Sequence, residues 1–237
     1  IHYDALCAEF AARVLEDSSD MKQAIATCES ALTRVDETST RRISAMLARL
    51  QASSGNTAEV TVENDVVAQV AALIPRITKG DAKDGGEMLT RAIRLLRPEG
   101  AGVVGDVEIW ARLGQAGLAI QSFGSAIECC EQASVLSKAP EQSASRQSWY
   151  WSGVAACAYG NSIVGLLRPA RQDESAQNAL KQKAFEQFVE AANYGRRAQR
   201  SDIVCHAAKC FWNAGTSFMA SASARQVLVK PLEAILE

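Results

Sequence analysis

The sequence predicts an all-α chain, a degenerate array of helical hairpins stacked as a solenoid. Three observations predict it. Alanine, leucine, glutamine, arginine and glutamate dominate many stretches, and these side chains lose little on entering a helix. Alternating runs of Val, Ile, Tyr and Thr are scarce, so there is little from which to build half-buried strands. A spaced set of small and large apolar residues also recurs along the chain, and self-similarity at a fixed period is the mark of a repeat array.

The clearest unit runs from Asp106 to Pro140. Trp110, Leu113 and Gly114 have the spacing W-x-x-L-G, and Ala126, Cys130 and Ala133 follow as a small, a larger and a small residue. This is the order of the roughly 34-residue tetratricopeptide (TPR) motif. Trp110 and Leu113 form the packing ridge of a first helix. Gly114 and Ala126 are small enough for the two helices to approach closely, and Ala133 plays that part toward the next unit. Gly117 departs from the pattern, standing where the motif has a large aromatic residue.

The same triplet occurs three periods upstream as Ala24, Cys28 and Ala31, with Ala8, Ala11, Ala12 and Leu15 in first-helix positions. Ala92 and Leu96 fall one period before Ala126 and Cys130. Downstream, Ala184, Phe188 and Ala191 match again, but their first helix starts near Trp149 or Trp151 and is too long for a standard unit. One or two enlarged repeats are therefore expected.

Helices are expected near 2–16, 20–35, 39–52, 63–79, 84–97, 106–119, 121–138, 144–167, 174–199, 201–220 and 223–236. Asp17 to Asp20, Gly80 to Gly86, Pro98 to Gly105, Pro140 and Arg168 to Asp173 mark the breaks. Pro75 falls inside a helical pattern and is expected to kink or end it. Leu95-Leu96-Arg97-Pro98 and Leu166-Leu167-Arg168-Pro169 are the same tetrapeptide, and each is expected to end a helix in the same way. The segments group as N-terminal hairpins over 1–52, a polar linker over 53–62, central hairpins over 63–140 and enlarged hairpins over 141–237.

Formal net charge is −2, from 25 basic and 27 acidic residues. No basic excess is available to neutralise phosphates, which disfavours nucleic acid as the main partner. Apolar runs fall short of the ~18 residues of a membrane span, and no signal peptide is visible. The start at Ile1 and the stop within a helical pattern read as a processed product or a piece of something longer. Seven cysteines, Cys7, Cys28, Cys129, Cys130, Cys157, Cys205 and Cys210, lie in alanine-rich helical settings. Buried, reduced thiols are the expectation.

Chemistry-bearing motifs are weak. Cys205, His206 and Cys210 form C-H-x-x-x-C. His206 and Cys210 share a helical face, while Cys205 is turned about 100° away from His206. A closed zinc site takes roughly four ligands, and two do not supply it. Neighbours on a helix do not face each other, so Cys205 and His206 make no nucleophile–base pair. Gly100 to Gly105 spells G-x-G-x-x-G without a preceding strand, and no P-loop lysine follows either glycine-rich stretch. No catalytic residue, metal or cofactor is expected. Arg196, Arg197 and Arg200 gather at a helix end, and Arg41, Arg42 and Arg49 gather near another. Each set is a solvated face or a docking patch for an acidic surface. Trp110, Trp149, Trp151 and Trp212 all fall in first helices and are expected in the core; Trp149 and Trp151 cannot both face inward on one helix, so the alternative is a ligand groove lined by one of them. At the C-terminus Val227, Leu228, Leu232, Ile235 and Leu236 form an apolar stripe, expected to lie partly open and to mark an interface.

The run Trp149-Tyr-Trp-Ser-Gly-Val-Ala to Leu166-Leu-Arg-Pro169 resembles known units, and so does Cys210-Phe-Trp-Asn-Ala214 to Val229-Lys-Pro-Leu-Glu233. They are similar to units in very large TPR-like scaffolds of the ciliary central apparatus, of the cilia- and flagella-associated class. There a helix carrying W-N-A is followed by small residues, an arginine and an L-x-x-P-L helix. The resemblance covers the chain from Trp149 onward and the unit at Trp110. It implies a structural, non-catalytic role in the axoneme, within a large complex of scaffold and microtubule-associated proteins. Co-chaperone TPR domains grip a C-terminal carboxylate with Lys and Asn. The matching positions here hold Glu9 and Arg13, or Ala111 and Gln115, so that clamp is absent. A cytosolic TPR adaptor for short peptides is the second reading.

Overall fold

The computed structural model describes residues 21–32, 43–44, 46–47, 50–51, 66–79, 82–97, 103–138, 145–168, 170–220 and 222–236. Among the described residues the regular elements are helical and no strand occurs. In chain order they are α1 (Met21–Leu32), α2 (Val66–Lys79), α3 (Ala82–Leu96), α4 (Val107–Ala119) and α5 (Phe123–Ser137). Then come α6 (Arg146–Gly165), α7 (Glu174–Ala198), α8 (Ser201–Gly215), a 3-10 turn (Thr216–Ala220) and α9 (Ala222–Leu236). The expected helix over 2–16, the linker over 53–62, Cys7 and the Arg41, Arg42, Arg49 set lie outside the described residues.

Two compact units make up the chain, Ile1–Gly105 and Asp106–Glu237. This division falls inside the 63–140 stretch that the sequence groups together. Its local mark is Gly105, at φ 94°, followed by Asp106. The Asp106 carboxylate accepts the Ile109 N–H at 3.1 Å and so satisfies one of the free donors that open α4.

In the first unit Ala24, Cys28 and Ala31 of α1 form one buried cluster with Ile43, Met46 and Leu50. α2 packs against α3. Pro75 does not end α2, which runs on to Lys79. The ring removes the donor for the Ala71 carbonyl, but Ala68, Val70, Ala71, Ile74 and Ile77 are buried on both sides of it, and packing outweighs one lost bond. The two L-L-R-P tetrapeptides end their helices differently. α3 includes both leucines, whereas α6 stops at Gly165. There the Arg168 guanidinium turns back onto the carbonyls of Gly165 (2.7 Å) and Leu167 (2.9 Å).

The second unit is a solenoid-like stack of antiparallel hairpins, α4–α5, α6–α7 and α8 with α9. First helices of neighbouring hairpins run parallel. Gln147 donates to Glu108, 39 residues earlier, and the Arg112 guanidinium lies 4.4 Å from the Trp151 ring centre. Asn161 donates to the Cys210 sulfur, 49 residues later. These offsets exceed the roughly 34 residues of the TPR period. Between α4 and α6 the excess lies in the connection from Ser137 to Arg146; between α6 and α8 it is set by the 20-residue α6 and the 25-residue α7. α6 is the central pillar, buried without a break from Trp151 to Gly160, which explains why it shows no clear polar face. Its Gly160 lies directly under the Phe188 ring, so a small residue there lets α7 approach.

The helix ends use one recurring device. Gln121 (φ 60°) and Gln199 (φ 57°) are left-handed. After α4, Ser122 N–H donates to Gly117 O and Gln121 N–H to Leu118 O, at 2.8 and 3.0 Å. After α7, Arg200 N–H donates to Gly195 O and Gln199 N–H to Arg196 O, at 2.8 and 2.9 Å. Both are Schellman closures with glutamine where glycine is usual.

Candidate functional site: the groove between α7 and α9

α9 does not simply close a hairpin on α8. After the 3-10 turn it lies parallel to α7, and two fasteners hold it there. At the start Lys181 Nζ donates to Ser217 Oγ at 2.8 Å and sits over the Phe218 ring. At the end the Arg196 guanidinium donates to the carbonyls of Ile235 (3.1 Å) and Ala234 (2.8 Å), and to Asn193 Oδ1 (2.5 Å).

Between the fasteners the helices leave a groove of about 760 Å³. The α7 wall presents Glu186, Val189, Glu190, Asn193 and Arg197, residues at helical spacing. The α9 wall presents Val227, Lys230, Pro231 and Ala234, while Phe185 and Tyr194 reach its floor. The Tyr194 hydroxyl donates to Glu190 and shares a bond with Ser137, each at 3.3 Å. Burial pushes its phenol above the usual range; the Ser137 bond opposes this and Glu190 adds to it.

The sequence-derived packing residues are buried. Trp110, Leu113, Ala126, Ala133, Ala184, Phe188 and Ala191 are 0% exposed, Cys130 is 1% exposed, and Gly114 is buried between α4 and α5. Trp151 is in the core, Trp149 is half-buried and Trp212 is 53% exposed, which corrects the expectation for Trp212. The buried face of α8 is Ile203, Ala207 and Phe211, and Trp212 lies one position around from it.

The docking set is corrected in part. Arg196 is occupied by the end of α9. Arg200 pairs with Asp202 at 2.8 Å and stacks over Tyr150; its hydrogen bond to Asp202 is the main reason that carboxyl is held low. Ile235 is 2% exposed and faces the core. Leu232 and Val227 pack half-buried against the same core, and Leu228 is buried. Of the apolar stripe only Leu236, 75% exposed, is open, joined by Val229. Arg197 lines the groove. Glu186, Glu190 and Lys230 were not singled out from sequence, although the stripe Glu186, Glu190, Asn193, Arg197 was a readable signal.

The Cys205–His206–Cys210 motif behaves as its spacing predicts. Cys210 Sγ lies 3.6 Å from His206 Nε2, and Cys205 is exposed on another side. Among the described residues no group of three or more His, Cys, Asp or Glu is placed to hold a metal ion. Burial pushes the Cys130 thiol up to about 12, with Glu131 adding to it, and raises Cys129 and Cys157 further. No helix of the described residues is long and apolar enough to cross a membrane.

Fold and groove together define an all-α, solenoid-like chain with a lateral groove between α7 and α9. No family model matches the chain. It is similar to cilia- and flagella-associated protein 46 of Chlamydomonas reinhardtii, 24% identical over 256 aligned residues. The match takes in 90% of this chain and 9% of that protein, so the chain spans about a tenth of the length of its relative.

Proposed function

We propose that this chain is a TPR-like scaffold segment of a cilium- or flagellum-associated protein, at the axonemal central apparatus, where it holds other scaffold proteins together. The similarity to cilia- and flagella-associated protein 46 along nine-tenths of the chain carries this reading. The stacked hairpins support it, because such arrays expose long surfaces to partners. A non-catalytic role is part of the proposal. A nucleophilic thiol needs a lowered pKa, and Cys129, Cys130, Cys157 and Cys210 are shifted upward by burial.

The test is localisation of the tagged parent protein in a ciliated cell, followed by detergent extraction. Retention in extracted axonemes, on the central apparatus by immuno-electron microscopy, is the expected result. A tag confined to the cell body would favour the cytosolic adaptor that binds short peptides.

A further inference from the structure

We propose that the α7–α9 groove docks an extended partner segment with an arginine at one end, an apolar residue at its centre and an acidic residue at the other. The inference rests on the partner-binding reading above and names the chemistry of one partner.

The groove is divided by charge. Glu186 and Glu190 stand one turn apart in the middle of the α7 wall, and Arg197 stands at its C-terminal end. Asn193 Oδ1 is taken by Arg196, which leaves its amide N–H groups to the groove. Among the described residues Glu186, Arg197 and Lys230 enter no ion pair.

A second, independent feature is the backbone of α9. Pro231 lies inside the helix and has no N–H for the Val227 carbonyl, which loses its usual helical donor. Both residues line the groove. The parallel register set by the two fasteners places Val227 alongside the Glu190 turn of α7. Two carboxylates and a carbonyl short of a donor thus share one half of the groove. A guanidinium carries five N–H donors and suits such a set better than an ammonium. The other half, with Arg197, Lys230 and the Asn193 amide, suits a carboxylate. Val189 on one wall and Pro231 on the other supply apolar surface for a side chain between the charged ends.

Size selects the conformation of the occupant. Glu186 and Arg197 are about 16 Å apart along the helix axis, which an extended chain crosses in about five residues. A helical occupant would need about eleven residues to span the same distance.

The test uses the 237-residue chain and fluorescein-labelled, end-capped synthetic peptides, read by fluorescence anisotropy. The probe is Arg-Ser-Leu-Ser-Glu, with Arg-Ser-Leu-Ser-Arg and Glu-Ser-Leu-Ser-Glu as comparators. Reversed sequences are not useful controls, because an extended peptide can turn round. We expect the mixed-charge peptide to bind about tenfold more tightly than either comparator. Glu186→Lys should move the preference toward Glu-Ser-Leu-Ser-Glu, and Arg197→Glu toward Arg-Ser-Leu-Ser-Arg, with helical circular dichroism unchanged. Equal binding of all three, no binding, or a preference that neither substitution moves would overturn the proposal. Each of those results leaves the axonemal localisation experiment intact, so the two readings fail separately.

Discussion

A β-carbon built on Gly114 would lie 2.5 Å from the sulfur of Cys130 on the facing helix of the first hairpin. No ordinary contact is that short, so a methyl group at position 114 must displace the Cys130 sulfur. The next atoms, the Ala126 carbonyl at 3.5 Å and the Cys130 amide nitrogen at 3.7 Å, are at ordinary contact distance, so the sulfur is the atom in the way. Gly114→Ala is expected to cost about 1–3 kcal/mol by overpacking. Cys130→Ala removes the sulfur in the way, so the double substitution should cost less than the two singles added. Urea melts of the four proteins measure this coupling, and strict additivity would show that the contact is not what limits the approach.

Trp110 is 0% exposed and stands one turn before Gly114 on α4. Trp110→Ala should cost about 3–5 kcal/mol, the usual result of emptying a large aromatic site in a packed core. Stability within about 0.5 kcal/mol of the parent chain, the range of surface substitutions, would count against its place in the packing ridge.

The parts of the fold legible in the sequence are those set by side-chain size and period. Trp110, Gly114 and Ala126 mark a hairpin because a close helix crossing restricts which side chains fit, and α6 was expected to be long because Trp149 and Ala184 are too far apart for a standard unit. Loop ends were less legible. Gln121 and Gln199 carry no signature for left-handed backbone, where glycine or asparagine would have announced it. The open C-terminal stripe was misjudged because spacing along α9 does not reveal that Leu228 and Ile235 meet the Phe185, Phe211 and Phe218 cluster. The groove depends on α9 lying parallel to α7, a long-range arrangement that only the three-dimensional structure shows.

The two left-handed glutamines give a prediction of opposite sign. Replacing Gln199 or Gln121 by glycine relieves the β-carbon crowding of that conformation while keeping the closing hydrogen bonds. Each change should stabilise by up to about 1 kcal/mol, reduced by the added freedom glycine brings to the unfolded chain. Thermal melts check it, and a clear loss of stability from both would mean that the glutamine side chains hold those turns.

Thiol reactivity should follow burial. Cys28, Cys129, Cys130 and Cys157 are buried, Cys210 is half-buried and Cys205 is exposed. The thiolate is the reactive form, and burial raises the pKa of Cys129, Cys130, Cys157 and Cys210. Native alkylation with iodoacetamide at mildly alkaline pH, followed by peptide mass mapping, should label Cys205 first and Cys210 slowly. The buried thiols should react only after denaturant is added. Early labelling of Cys130 would mean that the first hairpin opens readily.

The Arg196 guanidinium ties α9 to α7. It donates to the carbonyls of Ala234 and Ile235 from the neighbouring helix. Arg196→Met keeps the stem and its packing but removes those donors, at a cost of about 1–3 kcal/mol. The loss should be local. Amide exchange in the last two turns of α9 should speed up, while α4 and α5, which share no bond with Arg196, should keep their protection. Arg196→Lys should restore only part of it, since an ammonium is a point charge without the planar fork that reaches two carbonyls and Asn193 together. Hydrogen–deuterium exchange read by mass spectrometry resolves peptides of this size. If the 226–236 peptide exchanges in Arg196→Met at the rate of the parent chain, α9 is held by Leu228 and Ile235 burial and the guanidinium is incidental.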